Sequence, residues 1–276
     1  MSVFLSVVIP TLNEEKYLPR LLKDLANQSE KDFEVIVVDG NSEDQTAEKA
    51  VEFEKRCRLK LVASKKRNLS YQRNLGAKHA VGTYVIFLDA DARVGKQFIQ
   101  KLKKSASLSK HLLLLPIHIP ENATYQDKLL NKVLAFFVEA SHFTDKPFSY
   151  GPSAMFQRHF FNHIGGYDEE VFVYEDHEIV QRVRKMGVHA KLLQHVAVKF
   201  SMRRFKTEGR LNVFRKYLIA YLQILAKGRV TEKSFTYEMG GSAAYLLKQK
   251  KNESLPKLVN KYFDKLKNML EEQESS

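Results

Sequence analysis

Short apolar runs alternate with amphipathic segments through the first third of the chain, and this alternation constrains the fold more than any other feature. Four runs have the length and composition of buried strands: residues 5–9, 33–38, 59–63 and 84–88. The segments between them carry apolar residues at helical spacing, as in Leu18, Leu21, Leu22 and Leu25. Because strand and helix alternate, we expect a doubly wound α/β fold with a mostly parallel central sheet flanked by helices.

Mostly polar segments follow three of these strands directly. They are Pro10, Thr11, Asn13 and Glu14 after the first, Asp39, Asn41 and Ser42 after the second, and Asp89, Ala90 and Asp91 after the fourth. Ligands of doubly wound sheets gather at the carboxyl ends of strands, so we expect these residues to share one site. Asp89 and Asp91 offer hard oxygen ligands that suit Mg²⁺ or Mn²⁺ bound to a nucleoside diphosphate. Taken alone, the pair would more often form a turn or cap a helix.

The sequence lacks a glycine-rich dinucleotide motif and a phosphate-binding Gly-Lys-Ser/Thr loop, which argues against a dehydrogenase or a P-loop nucleotidase. Five segments, in this order, instead resemble the family 2 glycosyltransferases of the Rossmann-like GT-A fold. They are Val-Val-Ile-Pro-Thr-Leu-Asn-Glu at 7–14, Val-Val-Asp-Gly-Asn-Ser-Glu-Asp-Gln-Thr at 37–46, Arg-Asn-Leu-Gly at 73–76, Phe-Leu-Asp-Ala-Asp at 87–91 and Tyr-Glu-Asp at 174–176.

The resemblance implies how the donor nucleotide sugar is bound. It places around the nucleoside the residues Pro10, Thr11, Asn13, Glu14, Asp39, Asn41 and Ser42. Asp89, Ala90 and Asp91 correspond to the family's metal and ribose motif, with Asp91 favoured as the direct ligand. Arg73 would lie near the base or the phosphates, and its alternative is a salt-bridged arginine on a helix surface. The family often has a second acid where this chain has Gly40, so the base preference stays open.

The resemblance also implies an acceptor side in the second half of the chain. The acceptor-binding residues would be Gly151, Pro152, Ser153 and Glu175. Asp176 corresponds to the general base of inverting enzymes, which takes the proton from the attacking hydroxyl. Considered alone, Glu175 and Asp176 would be acids favoured in the first turn of a helix.

Three further residues are weaker candidates for the site. Arg203 and Arg204 stand where processive relatives carry a Gln-x-x-Arg-Trp motif, so either could hold the diphosphate in a bidentate pair. The alternative is a solvated basic loop. His195 is a candidate third metal ligand, and the alternative is a structural histidine.

The length fits one catalytic domain with an extension. We expect a GT-A domain at 1–204, with nucleotide-sugar binding in 1–95 and the acceptor half in 96–204, followed by a helical extension at 205–276. Amphipathic patterns in this extension would pack on the domain or a second subunit, or lie on an anionic membrane. The apolar run at 129–138 is predicted to be a core helix, with a lipid-facing surface as the alternative.

The net charge of +13 and the pI near 9.5 favour anionic partners such as nucleotide sugars and phospholipid headgroups. Nucleic acid is the weakest partner class because no recognised motif accompanies the positive charge. No apolar run reaches the ~18–20 residues of a spanning helix. One cysteine, Cys57, excludes an intrachain disulfide. We therefore expect a cytoplasmic protein that acts in the cytoplasm or at the inner face of the cytoplasmic membrane.

These features lead to one hypothesis with several alternatives. We expect an inverting, metal-assisted transfer of a sugar from a nucleotide diphosphate donor, with UDP favoured, to a hydroxyl of a glycan or glycolipid. One alternative is transfer to a polyprenyl phosphate. Others are a sugar-nucleotide pyrophosphorylase, although its glycine-rich loop after the first strand is missing, and a non-catalytic nucleotide-binding protein.

Overall fold

The computed structural model describes residues 3–108, 111–171 and 174–202. The strands in these residues are β1 (Leu5–Thr11), β2 (Phe33–Asp39), β3 (Leu59–Ala63), β4 (Tyr84–Phe87), β5 (Arg93–Val94), β6 (Leu113–Pro120), β7 (Met155–Gln157) and β8 (Lys191–Phe200). The helices are α1 (Leu18–Ala26), α2 (Thr46–Val51), α3 (Glu54–Cys57), α4 (Leu69–His79), α5 (Phe98–Leu108), α6 (Tyr125–Ser141), α7 (Arg158–His163) and α8 (Glu175–Lys185).

The described strands form one sheet in the order β3-β2-β1-β4-β7-β6-β8-β5. From β3 to β4 every pairing is parallel, as the strand–helix alternation predicts. The second half is mixed, because β7 runs antiparallel to β4 and β6, and β5 runs antiparallel to β8, whereas β6 and β8 are parallel. The predicted α/β fold with helices around a central sheet is confirmed, in the form of a mixed sheet.

Both faces of the central strands are buried. All seven residues of β1 are buried, and its apolar side chains from Leu5 to Ile9 belong to two clusters on opposite faces of the sheet. Leu5, Val7 and Ile9 pack with the leucines of α1 and with α5, while Val8 packs with residues of α4, α7 and α8. This double coverage explains why the first strands are continuous apolar runs rather than alternating ones. It leaves the strand ends as the exposed edge of the sheet.

Helix α6 differs from the core helix predicted for the run at 129–138. Leu134, Phe136 and Phe137 lie in this run and are more than half exposed. The prediction is wrong for these three residues, because a helical apolar spacing is the same whether the face is covered or open. None of the described helices is both long enough and apolar enough to cross a bilayer.

Several predictions concern residues outside the described part of the chain. They are the domain boundary near residue 204, the helical extension at 205–276, and the diphosphate contacts of Arg203 and Arg204.

Candidate active site

The carboxyl ends of β1, β2 and β4 bring the predicted nucleoside and metal residues to one edge of the sheet. Thr11 at the end of β1 is in register with Asp39 at the end of β2. The Thr11 hydroxyl donates to the Asp39 carboxylate at 3.2 Å. β4 lies on the other side of β1 and ends at Phe87, so the turn containing Asp89, Ala90 and Asp91 begins at the same edge.

The two loops that follow β1 and β2 are tied together by hydrogen bonds. Asp39 accepts from the Ser42 hydroxyl at 2.5 Å and from the Ser42 backbone N–H at 3.0 Å. The Ser42 oxygen in turn accepts from the Asn13 N–H at 2.9 Å, and Thr46 Oγ1 accepts from the Glu14 N–H at 2.7 Å. Asn13 has a left-handed backbone, φ 55°, which asparagine tolerates better than most residues. These hydrogen bonds join the loops after β1 and β2, and we call the segments at residues 10–14 and 39–42 the rim of the site.

Gly40 is explained by its neighbour on α4. A Cβ at Gly40 would lie 2.2 Å from Gln72 Nε2, which donates to the Thr11 carbonyl at 3.3 Å. The end of the Gln72 side chain therefore occupies the space beside Gly40, and a larger residue at position 40 would have to displace it. Gln72 was missed at the sequence level, although it directly precedes Arg73 and shares a helix face with Gly76, whose Cα approaches Val8 of β1.

Arg73 occupies the centre of the site but does not face solvent. Its side chain is 1 % exposed, with Nη1 2.6 Å from Glu175 Oε1 and Nη2 3.1 Å from Asp89 Oδ1. Its guanidinium also lies 5.2 Å from the centre of the Tyr167 ring. Arg73 is salt-bridged, but the alternative of a helix-surface arginine is wrong, because two carboxylates from distant segments enclose it. Its place near the base or the phosphates stays a prediction.

Helix α8 begins with the two predicted acids, and both are buried. Tyr174 precedes them in a left-handed conformation, φ 65°, which turns the chain sharply into the helix. The N-cap residue Tyr174 forms no side-chain cap hydrogen bond, and Glu175 and Asp176 occupy the first turn, where acids are favoured. Burial raises the pKa of Glu175, while the neighbouring Arg73 pulls it down and the charge of Asp176 pushes it up.

Asp176 lies next to a histidine that is not its proton donor. His177 Nδ1 is 3.6 Å from Asp176 Oδ2, but the same Nδ1 accepts a hydrogen bond from the Ser149 N–H at 3.3 Å. A ring nitrogen that accepts carries no proton, so this contact is not an ion pair. Asp176 is 8 % exposed at the start of a helix whose dipole favours its negative charge.

His118 is a site residue that was not predicted from the sequence. It lies near the end of β6, is 9 % exposed, and its Nε2 has no hydrogen-bond partner. Burial lowers the pKa of His118 to about 4, while the charges of Asp89 and Asp176 act to raise it. The neutral imidazole therefore lies within the field of both the strand-end and the helix-start acids. No motif surrounds it in the sequence.

The predicted acceptor segment packs against this histidine. A Cβ at Gly151 would lie 2.8 Å from His118 Cε1 and Nδ1, and Gly151 has φ 147°, so only glycine fits there. Pro152 follows it, and Ser153 is buried with an unpartnered hydroxyl. The structure therefore brings the residues at 151–153 close to the acids, through contact with His118.

The metal-binding prediction rests on two carboxylates only. Asp89 is partly exposed, and Arg73 contacts one of its two oxygens. No group of three His, Cys, Asp or Glu side chains that could hold a metal ion occurs within the described ranges. Two carboxylates fit Mg²⁺ or Mn²⁺ nevertheless, since these ions retain waters and take further oxygen ligands from substrate phosphates.

His195 is not placed to be the third ligand. Its side chain is exposed, and Nε2 lies 3.1 Å from the Ser105 hydroxyl on α5. Its carbonyl accepts from Lys101 on the same helix. The prediction is corrected because His195 lies in the part of β8 that packs on α5, before the strand reaches the edge that carries Asp89 and Asp91.

The fold and the site together define the class of protein: an α/β transferase with an acidic site at the carboxyl edge of its sheet. The chain belongs to glycosyl transferase family 2, whose sequence profile matches residues 6–165.

Curated relatives resemble one segment of the chain. The uncharacterized glycosyltransferase EpsJ of Bacillus subtilis is 32% identical over 107 residues, which are 38% of this chain and 31% of EpsJ. The poly(ribitol-phosphate) β-N-acetylglucosaminyltransferase TarS of Staphylococcus aureus is 35% identical over 99 residues, 34% of this chain and 17% of TarS. The matched segment thus spans less than a third of the length of either relative.

Solved structures extend the likeness of fold. TarS residues 1–349 in complex with UDP superpose with a TM-score of 0.58 at 22% identity, covering 72% of this chain and 60% of that chain. The mannosyltransferase PcManGT of Pyrobaculum calidifontis, in complex with GDP-Man and Mn²⁺, gives a TM-score of 0.60 at 20% identity, covering 78% and 64%. At these identities the comparison establishes the fold.

Proposed function

We propose that the protein transfers a sugar, with inversion, from a nucleotide diphosphate sugar to a hydroxyl of a glycan or glycolipid. Asp89 and Asp91 hold a divalent cation on the diphosphate, the rim at residues 10–14 and 39–42 holds the nucleoside, and Asp176 is the general base. The neighbours bind UDP or GDP-Man, which supports this donor class. Of the nucleotides, UDP remains the one we favour.

One observation carries the proposal: Arg73 bridges Asp89 and Glu175 with contacts of 3.1 and 2.6 Å. Glu175 directly precedes Asp176, so the bridge sets the predicted base beside the predicted diphosphate site. In an inverting transfer the acceptor hydroxyl attacks the anomeric carbon from the side opposite the leaving diphosphate, so the sugar would lie between the diphosphate and the base. The base must be within hydrogen-bond reach of that hydroxyl.

The negative charges of the site favour the binding of a cation. Four carboxylates, Asp89, Asp91, Glu175 and Asp176, lie in these two segments, and Arg73 is the buried cation that contacts two of them. Clustered carboxylates provide the hard oxygen ligands that a divalent cation prefers. A divalent cation bound there would offset the negative charge that develops on the leaving diphosphate.

A thermal-shift screen tests the donor class. UDP, GDP, CDP and dTDP are each added with and without Mn²⁺, and a ligand that binds only the folded state raises the melting temperature. We expect one nucleotide to stabilise the protein, and more so with Mn²⁺. The absence of any shift with all four nucleotides would contradict the proposal.

Substitution of Asp176 tests the acceptor chemistry. With the donor found by the screen, Asp176→Asn should lower transfer by roughly 10²–10⁴-fold and leave donor binding unchanged. Glu178→Gln, in the same helical turn but paired with Arg182 at 2.8 Å, is the matched control and should retain transfer. If Asp176→Asn spares turnover, the acceptor is an oxygen that needs no base, such as that of a polyprenyl phosphate. If no acceptor supports transfer, the protein binds nucleotide without catalysis.

A further inference from the structure

Helix α6 and the turn after it expose a group of large apolar side chains. Phe136 is 66% exposed, Phe137 61%, Phe143 91%, and Leu134 and Tyr125 are also more than half exposed. We call these five residues the aromatic face. Scattered exposed apolar residues are ordinary, but several on one helix and its turn form a patch of the kind that marks a contact surface.

Lysines accompany the aromatic face. Phe136 follows Lys132 by four residues and Tyr125 by eleven, which is the spacing of one side of a helix. Lys128 and Lys132 are exposed, as are Lys146 and Asp145 after the helix. The helix's own acids have other partners: Asp127 forms a capping box with Thr124, and Glu139 accepts from the Tyr150 hydroxyl at 2.8 Å. The exposed side of α6 is therefore aromatic and basic.

The helix that carries this face is anchored to the acceptor side of the site. Asn131 Nδ2 donates to the carbonyl of His118 at 3.0 Å, and Glu139 holds Tyr150, the residue before Gly151. α6 also follows the carboxyl end of β6, which is parallel to β4 through the intervening β7. The aromatic face thus belongs to the edge of the molecule where the acids lie.

We propose that the aromatic face docks the protein on an anionic lipid bilayer. Aromatic rings suit the headgroup region, and the lysines are complementary to acidic headgroups, as in helices that lie in the plane of a membrane interface. A second copy of this chain fits less well, because a two-fold contact would bring the same lysines of both copies together. The inference does not depend on the proposed donor or reaction.

The absence of tryptophan from the sequence makes a direct test possible. In the full chain, Phe136→Trp and Phe143→Trp each introduce one fluorophore into the aromatic face. We expect their emission to shift to shorter wavelength on titration with vesicles of phosphatidylcholine and phosphatidylglycerol at 3:1. The shift should be weaker with pure phosphatidylcholine, and weaker at high salt, because salt screens the lysine–headgroup attraction.

Val81→Trp is the matched control. Val81 is 59% exposed and precedes β4, at the opposite edge of the sheet, so its tryptophan should show no shift. Adding Lys128→Glu and Lys132→Glu to Phe136→Trp should weaken vesicle binding several-fold. Vesicle binding without a shift of either α6 tryptophan would place the membrane contact elsewhere and overturn the proposal. A shift that depends on protein concentration and not on lipid would overturn it in favour of a second copy.

Discussion

Arg73 on α4 donates to Glu175 at the start of α8 across 2.6 Å, and 102 residues of sequence separate the two. The same guanidinium reaches Asp89 after β4. These two contacts join the donor half of the site, which carries Asp89, to the acceptor half, which carries Glu175. A shift of either acid would therefore disturb the contact of Arg73 with the other. Burial lowers the pKa of Arg73, but Glu175 and its other anionic neighbours outweigh that effect, so the net shift is upward and the guanidinium stays charged.

Removal of this arginine should destabilise the fold strongly. Arg73→Met leaves Glu175 buried without its cation, and breaking a buried ion pair in this way costs about 3–5 kcal/mol. Urea unfolding measures the loss. Arg67→Met is the control, because Arg67 pairs with Glu43 at the same 2.6 Å but both side chains are exposed, so it should cost less than about 1 kcal/mol. Equal losses in the two variants would show that Arg73 does not hold the acids together.

The two adjacent glycines after α7 should differ in their tolerance of alanine. Both have positive φ, 80° at Gly165 and 71° at Gly166, but a Cβ at Gly165 meets nothing, whereas one at Gly166 lies 2.4 Å from Asn74 Oδ1. Asn74 holds both the N–H and the carbonyl of Tyr167. We expect Gly165→Ala to cost about 1 kcal/mol from backbone strain, and Gly166→Ala to cost more because it also displaces Asn74. Melting temperatures of both variants check this order, and a smaller loss for Gly166→Ala would refute it.

His118 should make the protein less stable as the pH falls. Its pKa in the folded protein is about 4, because of burial, against an ordinary value of 6.5. Between these values the unfolded chain takes up a proton that the folded one does not, so stability is complete above pH 6.5 and falls toward pH 4. The loss amounts to roughly 3 kcal/mol at most.

The contribution of His118 can be isolated by substitution. His118→Phe should flatten the dependence of unfolding free energy on pH between about 6.5 and 4. His159→Gln, at an exposed position on α7, should leave it as in the unsubstituted protein. A wild-type slope in His118→Phe would mean that His118 does not determine the acid sensitivity.

The features predicted correctly from the sequence are those that local sequence patterns determine. The parallel half of the sheet and the common edge for Thr11, Asp39 and the Asp89 turn follow from apolar runs, strand–helix alternation and strand-end polarity. Tyr174, Glu175 and Asp176 were found by resemblance. Their proximity to Asp89 depends on the folding of α8 back onto α4, which no local sequence pattern encodes.

The errors arise where the same sequence pattern permits two environments. Arg73 has the sequence of a helix-surface residue and is buried, because its two carboxylate partners come from segments 16 and 102 residues away. Phe136 has the spacing of a core residue and is exposed. His195 and His118 are both strand histidines, and the sequence could not distinguish the one beside Ser105 from the one beside Gly151.

Calorimetric titration of the nucleoside diphosphate selected by the screen, with and without Mn²⁺, most directly tests whether the strand-end aspartates hold a cation on the diphosphate. In the unsubstituted protein we expect Mn²⁺ to tighten binding by about tenfold or more, equivalent to about 1.4 kcal/mol or more. Asp91→Asn should abolish this gain and keep the metal-free affinity, while Asp145→Asn, an exposed substitution of equal charge, should retain it. An undiminished Mn²⁺ effect in Asp91→Asn would contradict the proposed site.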